Sequence, residues 1–341
     1  MLKTNLERRH GSFEVFVCLK VQTDATSAKI KPLTYMELNE MGNQIKIGII
    51  GAGAMGLLYA ANLAEKADLT LFTRREEQAN ALKQKGISLI DNGTTKTIHI
   101  NAVVVTDTAA LSKQQLLIVA VKQYSLLEIL PLLQAVPVET PMLFIQNGAG
   151  HLENLPLLGE KRTILVGISE HGAGRENDTT VVWRGHGRTK YSVYQGELDV
   201  SLEDWLNSVP DFPVEQHVNY LEIIQEKLFI NAVINPLTAV LGVRNGELLE
   251  NPEWHKLLGL LVEEMETVLP VQNGALKVKE ICRVTANNFS SMALDKKHGR
   301  KTEIDGIVLP ILEKAEREGK TLPTLRTLYH IIKGLEGESN V

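Results

Sequence analysis

Ile45-Lys-Ile-Gly-Ile-Ile-Gly-Ala-Gly-Ala-Met-Gly56 is a short apolar run that ends in three glycines spaced G-x-G-x-x-G. The pattern predicts a strand followed by a helix. Gly51 would make the tight turn, Gly53 would let the backbone approach a pyrophosphate, and Gly56 would let the helix pack closely on the strand. The helix over Leu57 to Lys66 would direct free N–H groups at a phosphate. The stretch favours a dinucleotide-binding site over the alternative, a glycine-rich turn with a structural role only.

Length and composition limit the class of protein. The 341 residues are enough for two domains with separate cores, and 44% of them are hydrophobic, which is typical of a soluble globular protein. The net charge of −5 argues against nucleic acid as a partner, and no apolar run reaches the roughly 18 residues that span a membrane. The only two cysteines, Cys18 and Cys282, suit a reducing compartment and argue against zinc or disulfides. We expect a cytoplasmic monomer or homodimer that binds a small molecule and no metal.

The division into domains follows from where the sequence pattern changes. Met41 directly precedes the first core strand, and Phe13 to Val21 is too short and too alternating for a signal peptide. We therefore expect residues 1–40 to be an extension outside the fold. Residues 41–214 should form the dinucleotide-binding domain and residues 215–335 an all-helical domain, because strand patterns give way to long helical patterns near this division.

The end of the second predicted strand, Leu69 to Thr73, selects the cofactor. In NAD-binding versions of this fold, an acidic residue about twenty positions past the glycines binds the ribose 2′-hydroxyl. Arg74 and Arg75 follow the strand here, and a guanidinium pairs well with phosphate. We therefore expect NADP rather than NAD, with Arg74 the better-placed arginine. The alternative is two solvated charges that pair with Glu76 and Glu77.

Two later strands end in polar residues. Gln115 to Val121 leads to Lys122, and Pro141 to Gln146 leads to Asn147. Ligands of open α/β sheets lie beyond the carboxyl ends of the strands, so we expect both polar residues to face the cofactor crevice. Asn147 would orient the nicotinamide ribose or the substrate, or else serve as the turn residue of an Asn-Gly pair.

Short strand patterns occupy the rest of the first domain. Thr97 to Val105 predicts one extended segment, and Ile164 to Gly167 and Thr179 to Trp183 predict strands that extend the same sheet. His171 and His186 have no partners at metal-ligand spacing, so we interpret them as loop or hydrogen-bonding residues.

The helical half contains a polar stripe. Lys227, Asn231 and Asn235 recur every four residues, so they share one face of a helix that is otherwise apolar. A lysine facing a carbonyl could donate a proton to the developing alkoxide and stabilise it by its charge. With a dinucleotide site this predicts an oxidoreductase. The alternative is a lysine that reaches solvent and two asparagines in a helix–helix contact. Pro236 predicts that the helix bends or ends near Asn235.

Several blocks occur in a characteristic order: Gly51–Gly56, Ala120–Gln123, Gln146–Gly150, Lys227–Thr238, Arg244–Leu248, Ser290–Met292 and Thr302–Gly306. Together they resemble the ketopantoate reductase (2-dehydropantoate 2-reductase) family, from Met41 to about Gly334. The resemblance implies NADPH-dependent reduction of 2-dehydropantoate to (R)-pantoate in pantothenate and coenzyme A biosynthesis. It also implies an α/β fold: an N-terminal Rossmann domain, then an all-α C-terminal domain like that of 6-phosphogluconate dehydrogenase, with the active site between them.

Carried over residue by residue, the resemblance assigns the proton donor to Lys227. The substrate contacts that it implies are Asn147, Lys227, Asn231, Asn235, Asn245 and Ser291. The cofactor contacts that it implies are Gly51, Ala52, Gly53, Ala54, Met55, Gly56, Arg74, Lys122, Asn147, Ala173 and Glu303. It leaves open whether Arg74 or Arg75 holds the 2′-phosphate. Related β-hydroxyacid dehydrogenases share the lysine and the first asparagine, so another small 2-oxo acid is an alternative substrate. A non-catalytic NADP-binding regulator is a further alternative.

Overall fold

The computed structural model describes residues 44–209 and 211–338, so the predicted extension at residues 1–40 lies outside the described residues. The strands in chain order are β1 (Lys46–Ile50), β2 (Asp68–Thr73), β3 (Ile87–Asp91), β4 (Thr94–Ile98), β5 (Asn101–Val104), β6 (Leu116–Val119), β7 (Met142–Phe144), β8 (Ile164–Ser169), β9 (Gly172–Arg175), β10 (Thr180–Gly185), β11 (Thr189–Gln195) and β12 (Val214–Gln216). They form an eight-stranded sheet in the order β12-β11-β8-β7-β6-β1-β2-β5 and a four-stranded sheet in the order β4-β3-β10-β9.

The main sheet is centred on β1, which lies between β2 and β6 and is parallel to both. Ile47 and Ile49 of β1 are fully buried, as expected of a parallel strand covered on both faces. The strand order reverses direction at β1, and ligands of open α/β sheets bind at such a reversal, beyond the carboxyl ends of the strands. The glycine loop leaves β1 at this point.

The second sheet corrects two predictions. The strand predicted at Thr179 to Trp183 does not extend the main sheet, because β10 pairs with β3 and β9 instead. The segment predicted over Thr97 to Val105 is two strands in different sheets. The physical reason is a tight hairpin at Asn92 and Gly93, which both have positive φ angles (46° and 79°) and which pair β4 with β3, while β5 returns to β2.

The helices of the first domain are α1 (Ala54–Leu63), α2 (Glu76–Lys85), α3 (Thr108–Leu111), α4 (Leu126–Gln134) and α5 (Val200–Asn207), with 3₁₀ turns at Gln123–Ser125 and Leu152–Leu158. The helices of the second domain are α6 (Tyr220–Leu241), α7 (Glu247–Glu250), α8 (Pro252–Val268), α9 (Gly274–Val284), α10 (Ser291–Lys297), α11 (Ile304–Ile307), α12 (Leu309–Arg317) and α13 (Pro323–Glu338). Among the described residues, no helix is both long and apolar enough to cross a membrane.

Helix α6 is the centre of the second domain. It packs against α8, α9, α10 and α13, and also against β8 and β11 of the main sheet. Asn219 caps its start by accepting a hydrogen bond from the Leu221 amide, and Gly242 ends it in the left-handed conformation. Of the two outcomes predicted near Asn235, a bend or an end, the end is wrong, because the helix continues through Pro236. Every residue from 228 to 239 is buried, and this packing offsets the cost of an internal proline, about 3 kcal/mol.

The predicted division between residues 214 and 215 falls within β12, which pairs with β11 of the main sheet. We propose that the first domain extends to the end of β12 and that the second begins with α6.

Candidate functional site

Two of the three glycines at the β1–α1 junction are required by packing. Gly51 has a φ of 107°, which favours glycine, and a Cβ on Gly56 would overlap the carbonyl oxygen of Gly51. The tight turn and the close helix–strand contact predicted for these residues are confirmed. Gly53 differs, because a Cβ there would meet no atom within 4 Å. The protein therefore leaves space beside Gly53 that a pyrophosphate would need.

The start of α1 offers unpaired donors beside that space. Gly53 precedes the helix without a side-chain cap, and the first helical bond runs from the Leu57 amide to the Gly53 carbonyl. The amides of Ala54, Met55 and Gly56 therefore have no partner within the helix, and the first turn carries no acidic residue. This helix end can bind an anion through backbone N–H groups.

The two arginines after β2 have different surroundings. Arg75 donates from Nη2 to both carboxylate oxygens of Asp178, at 2.6 and 2.7 Å. Arg74 is exposed and has no hydrogen bond or ion pair with any described residue, and neither arginine forms an ion pair with Glu76 or Glu77 in that part of the chain. The predicted pairing with these glutamates is therefore not observed. Arg74 is free to bind an anion, whereas Arg75 is already engaged.

The polar residues after β6 and β7 meet the second domain. Lys122 Nζ donates to Asp295 at 2.6 Å and lies 3.8 Å from Glu303, while Asn147 Nδ2 donates to Glu303 at 3.1 Å. Burial lowers the pKa of Lys122, but Glu303 and Asp295 outweigh it, so the net shift is upward. Lys122 therefore keeps its positive charge in the crevice. Arg300 donates from Nε to the other oxygen of Asp295 at 2.9 Å.

A glycine-rich contact joins the domains beside this cluster. A Cβ on Gly148 would overlap the carbonyl oxygen of Gly306, and the Ala149 amide donates to that oxygen at 3.3 Å. Gln123 lies against both Gly150 and Gly306. The backbones of the two domains thus approach each other directly, which fixes Asn147 close to Glu303.

The polar stripe on α6 is mostly buried and has no partners among the described residues. Asn231 and Asn235 are only 9% and 6% exposed, yet their side chains, like that of Lys227, form no hydrogen bond or ion pair within the described residues. A helix–helix contact through these asparagines would pair their amides, so that alternative has no support in the geometry. Their side-chain N and O atoms keep some exposure, so a ligand can reach them. A ligand with several oxygen atoms would satisfy them.

The surroundings of Lys227 include charges from the first domain. Burial lowers the pKa of Lys227; Glu170 raises it in part, and Lys190 lowers it further. Glu170 follows β8 and is held by Lys190 at 2.7 Å and by Arg188 at 3.5 Å. Lys227 therefore faces the main sheet, close to charged groups beyond the end of β8.

The remaining predicted residues lie around this arrangement. Asn245 Nδ2 donates to Thr285 Oγ1 at 2.8 Å, but its buried Oδ1 has no partner among the described residues. Ser291 is exposed at the start of α10, where the preceding Ser290 caps the helix. Ala173 pairs with Trp183 in the second sheet. In the described part of the chain, no hydrogen bond joins Ala173, Asn245 or Ser291 to the polar stripe.

Sequence reasoning missed several residues at the site, namely Arg175, Asp178, Glu170, Lys190 and Asp295. Asp178 lies 103 positions from Arg75 along the chain, and Asp295 lies 173 positions from Lys122. No local pattern in the sequence marks such pairs, because the partners lie far apart along the chain.

Two family models match this chain. Residues 47–196 match the model described as "Ketopantoate reductase PanE/ApbA", and residues 219–336 match the model described as "Ketopantoate reductase PanE/ApbA C terminal". Together the matches extend over most of both domains. The chain belongs to the ketopantoate reductase family.

Named ketopantoate reductases are similar to this chain over nearly their whole length. The 2-dehydropantoate 2-reductase of Listeria innocua serovar 6a is 70% identical over 301 residues, which are 88% of this chain and 100% of the relative. That of Bacillus subtilis strain 168 is 38% identical over 304 residues, covering 87% and 99%. The crystal structure of a probable 2-dehydropantoate 2-reductase from Bacillus subtilis superposes with a TM-score of 0.76 at 37% identity, covering 86% of this chain and 100% of that one. The predicted Rossmann domain followed by a helical domain is confirmed as the ketopantoate reductase fold.

Proposed function

We propose that this chain reduces 2-dehydropantoate to (R)-pantoate, a step of pantothenate and coenzyme A biosynthesis, with NADPH as reductant and Lys227 as proton donor. The observation that carries the proposal is the polar stripe of α6, in which Asn231 and Asn235 are buried, Lys227 is half-buried, and no side chain has a partner among the described residues. The names of the relatives that are 70% and 38% identical support the choice of substrate.

The residues of the first domain fit a dinucleotide with a 2′-phosphate. Gly53 leaves open space beside the free amides of α1, and Arg74 has no partner in the described chain. When bound, NADPH would supply the hydride. The residues that would hold it are the glycine loop from Gly51 to Gly56, Arg74, Lys122, Asn147, Ala173 and Glu303.

Lys227 would supply the proton and stabilise negative charge on the substrate oxygen. Because burial lowers its pKa, the ammonium gives up its proton more readily than an exposed lysine, which suits a general acid. Its charge would also favour the alkoxide that forms at the 2-oxo carbon. Asn231 and Asn235 each offer two donors and one acceptor, enough to orient the carboxylate and hydroxyl oxygens of a small acid.

The decisive experiment follows NADPH oxidation with a panel of 2-oxo acids that includes 2-dehydropantoate. We expect the highest kcat/KM for 2-dehydropantoate. A higher kcat/KM for another 2-oxo acid would identify that acid as the substrate instead. NADPH binding without turnover of any acid would instead favour a non-catalytic regulator.

A further inference from the structure

A cluster of four charged residues lies where the second sheet meets the end of β2. It consists of Arg74 and Arg75 after β2, Arg175 at the end of β9, and Asp178 in the turn between β9 and β10. Asp178 accepts two hydrogen bonds from Arg75, and its carboxylate lies 3.9 Å from Arg175 Nη1. We refer to these four residues as the arginine cluster.

The arginine cluster is attached to the glycine loop. Arg175 Nη1 lies 3.4 Å from the carbonyl oxygen of Ala52, between the first two glycines of the motif. Gln78 of α2, which is buried, donates from Nε2 to the same oxygen at 2.9 Å and to the Asp178 carbonyl at 3.0 Å. The loop, the start of α2 and the β9–β10 turn are therefore held together, and Arg175 lies beside the loop that approaches the dinucleotide.

The charges of the cluster match a phosphate. Three guanidinium groups and one carboxylate leave two positive charges, and a phosphate monoester carries about −1.5 to −2 at pH 7. Arg75 donates two hydrogen bonds from Nη2 to Asp178, whereas Arg175 makes one hydrogen bond, to the Ala52 carbonyl at 3.4 Å, lies 3.9 Å from the Asp178 carboxylate and is 41% exposed. Arg75 is thus held by a close salt bridge, whereas Arg74 has no partner among the described residues and Arg175 keeps most of its donors free.

We propose that Arg175 is a further specificity-determining residue, which holds the 2′-phosphate of NADPH together with Arg74. Asp178 acts as a positioning residue. Its two hydrogen bonds hold Arg75 away from the phosphate, and its charge orients the Arg175 side chain toward the phosphate. The proposal rests on the NADPH preference in the proposed function and adds a second phosphate ligand from a different sheet.

The test compares nucleotides with and without the 2′-phosphate. Fluorescence titration would give the Kd of NADPH and NADH, and calorimetry the Kd of 2′,5′-ADP and 5′-AMP, for wild type, Arg175→Gln and Arg175→Lys. We expect Arg175→Gln to weaken NADPH and 2′,5′-ADP about tenfold, the effect of losing one hydrogen bond between charged groups. The affinities for NADH and 5′-AMP should change by less than about twofold. Arg175→Lys should lose less affinity for NADPH and 2′,5′-ADP than Arg175→Gln, because lysine keeps the positive charge.

Two variants serve as controls. Lys83→Gln removes an exposed positive charge of α2 that has no ion pair with any described residue, so it should leave all four affinities unchanged. Arg74→Ala should weaken NADPH more than NADH, as expected of the other phosphate ligand. Unchanged NADH affinity also shows that each variant is folded.

Three outcomes would overturn the proposal. Unchanged NADPH affinity in Arg175→Gln would show that Arg74 binds the 2′-phosphate without Arg175. Equal weakening of NADPH and NADH would assign Arg175 to the pyrophosphate, which both cofactors carry. A wild-type protein that binds NADH as tightly as NADPH would refute the NADPH assignment itself and this inference with it.

Discussion

At the scale of single residues, Lys227 is the most informative. It is partly buried on the central helix of the second domain and has no partner within the described chain. We predict that Lys227→Ala leaves the Kd of NADPH nearly unchanged and lowers kcat about 10²-fold or more, the range for loss of a general acid. Steady-state kinetics and fluorescence titration measure both. Turnover like that of wild type would remove Lys227 from the mechanism.

The pH dependence of reduction follows from the same residue. Reduction needs protonated Lys227, so activity falls as pH rises through the pKa of that lysine in the folded protein. Because burial lowers this pKa, the fall should begin below the ordinary lysine value of about 10.4. Glu170 raises the pKa of Lys227, so Glu170→Gln should move the fall of kcat to lower pH.

The control for this pH profile is Glu215→Gln. Glu215 also bonds Arg188, at 3.0 Å, but does not contribute to the pKa of Lys227. Its removal should leave the profile where it is. A profile that moves equally in both variants would show that Glu170 acts through Arg188 rather than on Lys227.

At the scale of elements, two glycines of the β1–α1 junction have different roles: Gly56 serves packing, and Gly53 is proposed to serve cofactor binding. We predict that Gly56→Ala destabilises the protein by about 1–3 kcal/mol, because its Cβ would overlap the Gly51 carbonyl and push α1 from β1. Gly53→Ala has open space and an ordinary φ of −83°, so stability should stay within about 0.5 kcal/mol. NADPH should nevertheless bind more weakly, since the methyl group takes up space beside the phosphates.

Urea unfolding and NADPH titration of the two variants measure this difference. A Gly53→Ala protein that binds NADPH as wild type does would argue against the pyrophosphate at this position. A Gly56→Ala protein of unchanged stability would show that the helix can shift without cost.

At the scale of the whole molecule, the two domains meet at Gly148 and Gly306. We predict that Gly148→Ala lowers kcat/KM at least about tenfold, because a Cβ would overlap the Gly306 carbonyl and move Asn147 away from Glu303. The matched control is Gly159→Ala. Gly159 also has a positive φ, 91° against 79° for Gly148, but its Cβ would meet no atom within 4 Å.

Kinetics and thermal unfolding of both glycine variants separate backbone strain from the domain contact. Strain alone would lower the stability of both and leave kcat/KM similar. If Gly159→Ala lost as much activity as Gly148→Ala, the domain contact would have no special part in catalysis.

The sequence by itself determined the features that depend on residues near one another in the chain. The glycine spacing predicts the β1–α1 junction, since Gly51 is required by the turn and Gly56 by its close contact with the Gly51 carbonyl. The spacing of Lys227, Asn231 and Asn235 predicts one polar helix face, because the helical repeat places every fourth residue on the same side. The position of Arg74 directly after the predicted second strand predicts an arginine near the ribose of the cofactor.

Only the tertiary structure decided which groups meet across long distances in the chain. The pairing of Arg75 with Asp178 distinguishes the two arginines, and the contacts of Lys122 with Glu303 and Asp295 keep that lysine charged. The passage of α6 through Pro236 was also decided at this level, because burial of residues 228–239 outweighs the local tendency of the helix to break at the proline. These outcomes depend on packing energy summed over both domains, which no local pattern contains.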